Sequence, residues 1–190
     1  MPARAGCGLF GIDHKVQFDD SGIWARSNQR VLEAGTVLTV VGGALWEGSE
    51  SRAGSTLWRS ADAMAIGAVS AEVMKVAFSR TRPSETDDPC QWFQGHGNKS
   101  FPSGEVMLVT TAVTPVILEY GAEHPAVWLL GLLPAYDAVA RVKVHGHWQT
   151  DVLTSLALGA AIGTYTQRRD TSLFVGVLPH GVTVGWKRSF

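Results

Sequence analysis

The longest stretches of this chain without a formal charge, "VLTSLALGAAIGTYTQ" between Asp151 and Arg168 and the segment between Asp170 and Lys187, run 16 residues each. A helix that crosses a bilayer needs roughly 18 to 20. The uncharged runs at Ala34–Trp46 and Val106–Leu118 are shorter still. Apolar residues must therefore be buried mainly against one another, in a soluble or surface-attached protein rather than an integral one. Hydrophobic residues make up 45 % of the sequence, with 7 Trp among them, which suits a packed globule and argues against disorder. At 190 residues one domain suffices, and it can bury roughly two-thirds of its surface.

The apolar positions recur at helical spacing. They predict amphipathic helices over 22–46 and 55–79, with Asp62 and Glu72 on wet faces, and further helices over about 103–119, 125–140 and 148–167. "GAEHP" separates the third from the fourth, and Pro115 and Pro134 are candidate kinks. The stretch "RTRPSETDDPCQWFQGHGNKSFP" reads as a long loop, a type that is usually functional inside a compact domain. The tail "SLFVGVLPHGVTVGW" is open between a short helix and an extended segment. The expectation is an all-α fold: one compact bundle of about five to six helices over 19–190, behind an N-terminal segment of residues 1–18.

That segment holds Ala3-Arg4-Ala5, the small-x-small form of a signal-peptidase site without its apolar stretch. It reads either as an ordinary terminus or as the remnant of a secretion signal, which would make the protein periplasmic or secreted. Peripheral attachment to a membrane surface is compatible with either. Cys7 and Cys90 lack CxxC spacing, and they stand either as one disulfide in an oxidising compartment or as two unrelated thiols.

Sixteen basic and 17 acidic residues nearly cancel, so no global field points to nucleic acid or to a polybasic membrane contact. Charge chemistry has to be local, and three clusters supply it. Lys75 is followed after six residues by Arg82-Pro83; Pro102-Ser103-Gly104-Glu105 opens a helix; Arg141 is followed after five residues by His147 and after three more by Asp151. Together they offer three cations, the bare N–H groups of a helix start, an imidazole and a carboxylate. Those are the parts needed to hold and attack a phosphoryl group. His147 and Asp151 lie one helical turn apart, which lets the carboxylate orient the ring. His145, His147 and Asp151 also form a plausible metal-ligand set. Arg141 and Lys143 would repel a cation there, so an anion site is the better reading.

The three spaced motifs resemble the signature of the type 2 phosphatidic acid phosphatases, the superfamily that also holds bacterial acid phosphatases and vanadium haloperoxidases. The resemblance implies an acid phosphatase/haloperoxidase-like helical fold. It implies a phosphate clamp of Lys75, Arg82 and Arg141 completed by Ser103 and the Gly104 backbone, and His147 as a nucleophile that forms a phosphohistidine, oriented by Asp151. Phosphoryl transfer asks mainly for such positioning and charge compensation. That scheme needs no metal and no cofactor, and its substrate would be a phosphate monoester or pyrophosphate, either soluble or lipid-linked.

Glu105 departs from the pattern, which usually places a histidine there as the general acid. A carboxyl group can do that work only when protonated. A bound phosphate dianion would raise its pKa, whereas the helix N-terminus and nearby cations would lower it. His96 is a substitute acid close in the chain. Trp92, Phe93 and Phe101 read either as an apolar entrance or as packing anchors. Lys143 and His145 read as peripheral, and Glu85, Asp87 and Asp88 as solvated. Two other functions fit the same residues: a vanadate-dependent peroxidase, and a non-catalytic phosphate- or phospholipid-binding module. Oligomeric state is not encoded in any of these features. Phosphate or vanadate is expected to bind and to raise the melting temperature by linkage; a thermal-shift titration that shows no change at saturating vanadate would remove the anion site.

Overall fold

A computed structural model describes residues 11–95 and 97–169, and the backbone of 173–178 and 181–186. Helix α1 (Arg26–Val37) runs through a π-type turn, Leu38–Gly42, into α2 (Gly43–Glu47). Gly48, at φ 70°, takes the positive-φ conformation that ends α2. Ser51 then caps α3 (Arg52–Phe78) by accepting a hydrogen bond from the Gly54 N–H at 2.9 Å. Next come α4 (Gly104–Tyr120), a 3-10 turn with Pro125 at its start (Pro125–Gly131), α5 (Leu132–Lys143) and α6 (Gln149–Arg168). The helical bundle agrees with the expected fold class. The tail resolves to the extended alternative: β1 (Leu173–Leu178) and β2 (Gly181–Trp186) pair antiparallel, with Leu173 opposite Trp186 and Leu178 opposite Gly181.

The centre of the bundle is α4, which packs against α3, α5 and α6. It buries Val106, Met107, Val109, Thr110, Thr111, Ala112, Val113 and Pro115, so nearly its whole circumference is closed off, as an all-round apolar helix requires. Pro115 lies inside α4, while Pro134 occupies the first turn of α5, where its missing N–H removes no intrahelical bond. The approach of α6 to α4 is set by two glycines. A Cβ at Gly159 would stand 2.7 Å from the Thr110 Cβ, and one at Gly163 would stand 2.5 Å from the Thr114 Cβ.

Asp62 corrects a sequence-based expectation. It is buried, because α3 packs against α2, α4 and α6 and so closes more of its surface than a single apolar stripe suggests. Glu72 is exposed as expected.

The long loop is ordered by backbone pairing rather than by regular structure: Thr81 N–H donates to Gln91 O, Gln94 N–H to Ser79 O, and Ser100 N–H to Arg80 O. Phe78, Trp92 and Phe101 pack edge to face, with centroids 5.0 Å apart for Phe78–Phe101 and 5.1 Å for Trp92–Phe101, so these loop aromatics are packing anchors. Upstream, Asp13 lies within the expected N-terminal segment and is fully buried against Arg80 and Thr150. Cys90 is disulfide-bonded. Ala3-Arg4-Ala5, Cys7 and His96 lie outside the described residues.

Among the described residues no helix is long and apolar enough to cross a membrane. The α1–α2 arm nonetheless exposes Val31, Leu38, Leu45 and Trp46, the last 89 % accessible. An apolar trough of about 450 Å³ runs beneath it, between Val31, Leu32 and Val40 on one side and Leu57, Val113 and Leu133 on the other.

Glycine spacing generates a stability prediction. Gly163→Val should lose about 2–3 kcal/mol through overpacking against Thr114. Gly35→Ala, in the interior of α1 with open space around it, should gain about 0.5–1 kcal/mol. Urea or thermal unfolding of the two variants checks both signs.

Candidate active site

One cleft of about 500 Å³ collects residues from four helices, the long loop and the turn before α6. Lys75 reaches it from the last turn of α3, Arg82 from the loop, Gly104 and Glu105 from the start of α4, Arg141 from the last turn of α5, and His147 from the turn before α6. Ser103 is fully buried at the N-cap of α4, where its hydroxyl makes no capping bond and has no hydrogen-bond partner among the described residues. Gly104 lies close against Lys75, since a Cβ there would stand 3.0 Å from the Lys75 Nζ. The three sequence clusters, 75–82, 102–105 and 141–151, thus converge on one place. Lys143 and His145 do not line the cleft, and the His145 Nε2 lies 2.7 Å from the Val16 carbonyl.

The imidazole of His147 is held through Nδ1, which donates to the Ser100 carbonyl at 2.6 Å. A carbonyl can only accept, so Nδ1 carries the proton and Nε2 is left with its lone pair. Asp151 lies 3.7 Å from the same nitrogen. Its Oδ2 accepts from the Ser100 hydroxyl at 2.5 Å and from the Trp148 N–H at 2.9 Å, and its Oδ1 takes the Arg80 guanidinium at 2.6 Å. Asp151 therefore fixes the turn and the residue that hold His147, and acts on the ring itself mainly as a nearby charge. Burial, reinforced by the charges of Arg141 and Arg82, lowers the His147 pKa against the pull of Asp151, so the ring is neutral at physiological pH.

Glu105 does not stand free in the cleft. Both of its oxygens accept from the Arg26 guanidinium, Nη2 to Oε1 at 2.5 Å and Nη1 to Oε2, and the Arg141 Nη1 lies 3.7 Å away. Burial pushes the carboxyl up, but the Arg26 hydrogen bonds and the charges of Arg141 and Arg26 outweigh it and hold Glu105 below the usual carboxylate range. Gln29 joins the two arginines, accepting from Arg26 at 2.9 Å and from Arg141 at 3.1 Å.

Sequence reasoning missed this contribution of α1. Arg26, Gln29 and Glu33 recur at spacings of three and four, which places them on one helical face, and that polar stripe in an amphipathic segment was the available signal. Arg80, Asp13, Ser100 and Asp137 were missed as well. Arg80 and Asp137 carry no local pattern that separates them from surface charges. Asp137 is 1 % exposed, and neither carboxylate oxygen has a hydrogen-bond partner among the described residues. Burial, then the charge of Glu105, push its pKa up to about 7 against Arg141 and Arg26.

A helix start, several cations and a neutral imidazole thus face one cleft. The profile of the PAP2 superfamily matches residues 56–171, and the chain belongs to that superfamily. A curated relative, the lipid A 1-phosphatase of Porphyromonas gingivalis, is 28 % identical over 119 residues, 62 % of this chain and 24 % of that protein. The chain thus spans about a quarter of the length of this relative. No solved structure matches the chain at a significant level.

Asp137 generates a pH prediction. Its unfolded carboxyl titrates near ~4, so between there and about 7 the folded protein holds a proton that the unfolded chain has released, and stability falls as pH rises through that window. Asp137→Asn lacks this loss. The melting temperature of the variant relative to the parent should therefore climb from pH 4 to pH 8, and a difference that stays constant with pH would disprove the assignment.

Proposed function

We propose that this chain hydrolyses a phosphate monoester or pyrophosphate carried on a lipid, through a phosphohistidine formed on His147. The observation that carries the reading is the single cleft in which Lys75, Arg82, Arg141 and the start of α4 face a neutral His147 whose Nδ1 is already tied. In this scheme the three cations, the Gly104 N–H and the Ser103 hydroxyl bind the phosphate oxygens and balance the charge that spreads over them in the transition state. The Nε2 lone pair attacks phosphorus in line with the leaving oxygen. Water then attacks the phosphohistidine and releases phosphate, returning the imidazole to its starting tautomer. Asp151 is a positioning residue, acting through Ser100, Trp148 and its own charge.

The lipid-linked reading is supported by the name of the relative, by the exposed apolar side chains of the α1–α2 arm, and by the trough beside α4. A periplasmic or extracellular site of action fits the disulfide at Cys90. The Arg26–Glu105 pair favours one alternative, a phosphate-binding module without turnover, because a carboxylate locked to an arginine has no proton to give.

The deciding experiment incubates the parent with a panel of soluble and lipid phosphates. Lipid phosphates should be hydrolysed in preference to soluble ones, and an acid-labile, base-stable phosphoenzyme should be trapped. His147→Ala should lose turnover on the order of 10³-fold or more and trap no phosphoenzyme, while its melting temperature stays near that of the parent. Near-normal hydrolysis by the variant would overturn the phosphohistidine scheme, and vanadate binding by a parent without turnover would establish the binding module.

A further inference from the structure

We propose that Glu33, on α1, is the general acid of this cleft: it protonates the leaving oxygen and then accepts a proton from the attacking water. The assignment rests on the phosphatase reading above. Among the described residues three carboxylates line the cleft, Glu33, Glu72 and Glu105. Two of them are engaged. Glu105 is forked onto Arg26, and Glu72 is exposed and paired with Lys75 at 2.6 Å and Lys99 at 4.0 Å. Glu33 is half-buried, and among the described residues it accepts no hydrogen bond and joins no ion pair. It is the carboxyl group left free to exchange a proton with a ligand.

Its placement follows from the same contacts that disable Glu105. Arg26 and Gln29 fix the rotation of α1 through Glu105 and Arg141, and Tyr136 on α5 fastens the preceding turn by donating to the Ile23 carbonyl at 2.5 Å. Glu33 lies one turn beyond Gln29 on that face and so lines the cleft with His147. The charged groups acting on it are Arg26 from its own helix, Lys75 from α3, Glu105 from α4 and Arg141 from α5. Burial and the Glu105 charge raise its pKa, and the three cations do not cancel them. The ionised Glu105 thus helps to keep a proton on Glu33, and a bound phosphate dianion would act in the same direction.

The Nε2–P bond forms while the P–O bond to the leaving group breaks, and the Glu33 proton passes to that oxygen, giving a neutral alcohol, or a phosphate when the substrate is a pyrophosphate. Glu33, now ionised, takes a proton from water as the water oxygen bonds to phosphorus and the Nε2–P bond breaks. Phosphate leaves, and Glu33 is again protonated.

The test compares Glu33→Gln and Glu105→Gln in the full chain, using p-nitrophenyl phosphate and a long-chain alkyl phosphate. Nitrophenolate leaves without a proton, so Glu33→Gln should give a full pre-steady-state burst on the aryl substrate, followed by slow turnover and accumulated phosphohistidine. On the alkyl phosphate the same variant should lose both the burst and turnover by about 100-fold or more, the size expected for a missing general acid. The fall of kcat/KM with rising pH that the parent shows on the alkyl substrate should disappear in Glu33→Gln. A purely structural role for Glu33 would not remove that limb. Vanadate should still raise the melting temperature of the variant, showing that the clamp is intact. Alkyl phosphate hydrolysis by Glu33→Gln within about threefold of the parent overturns the assignment alone, as does a leaving-group-dependent loss in Glu105→Gln instead. A parent that traps no phosphohistidine overturns the phosphatase reading and this assignment with it.

Discussion

The Arg80 guanidinium, with no solvent exposure, lies between two buried carboxylates, 2.6 Å from Asp13 and 2.6 Å from Asp151. It also donates to the Pro89 carbonyl and the Thr150 hydroxyl, and its plane lies over the Trp92 ring at 4.2 Å. Desolvating three charges is costly, and only this density of hydrogen bonds offsets it. Removal of one partner from such a group typically costs about 3–5 kcal/mol, because the remaining charge stays buried. Asp13 belongs to the stretch before α1, Arg80 and Pro89 to the long loop, and Asp151 to the first turn of α6. The position of the proposed nucleophile follows from the same cluster: Asp151 holds Ser100 and Trp148, and the Ser100 carbonyl holds His147.

The second constraint is the depth of α4. A helix closed on most sides cannot rotate or slide without unpacking three neighbours, so its first residues are presented to the cleft by a rigid element. Gly159 and Gly163 let α6 come against Thr110 and Thr114, and Gly104 lets the Lys75 ammonium come against the start of α4. Small residues at these contacts allow the motifs on α3, α4 and the α6 turn to converge.

Positive charge in the cleft is partly offset by carboxylates rather than standing alone. Among the described residues Arg26, Lys75, Arg82 and Arg141 face Glu33, Glu72 and Glu105. Two of the three carboxylates neutralise cations that would otherwise repel each other across a half-buried space. Glutamate at position 105 is thereby tied to α1, since its charge is met by Arg26, a residue outside the stretch 56–171 that matches the superfamily. The departure at position 105 and the polar stripe of α1 form one electrostatic unit, and burial together with the Glu105 charge raises the pKa of Asp137.

What the amino-acid order determined by itself was whatever depends on short-range spacing. Apolar recurrence at three and four defines α3, α4 and α6 to within a few residues, and the short uncharged runs leave no helix among the described residues long and apolar enough to cross a bilayer. Lys75, Arg82, Gly104, Arg141 and His147 could be read as one constellation because each cluster is local and only the distances between clusters need the fold. The tertiary structure decided which charges are buried and what each one meets. Asp62 and Asp137 look like surface residues in sequence and are enclosed, Arg80 is indistinguishable from its neighbour Arg82 until Asp13 comes to it from 67 residues away, and Glu105 is claimed by Arg26 from 79 residues away. A side chain's protonation and partners depend on burial and on charges brought in by distant segments. The local pattern carries neither, so the sequence could name Glu105 as the anomaly of this site while the packing of α1 set its charge.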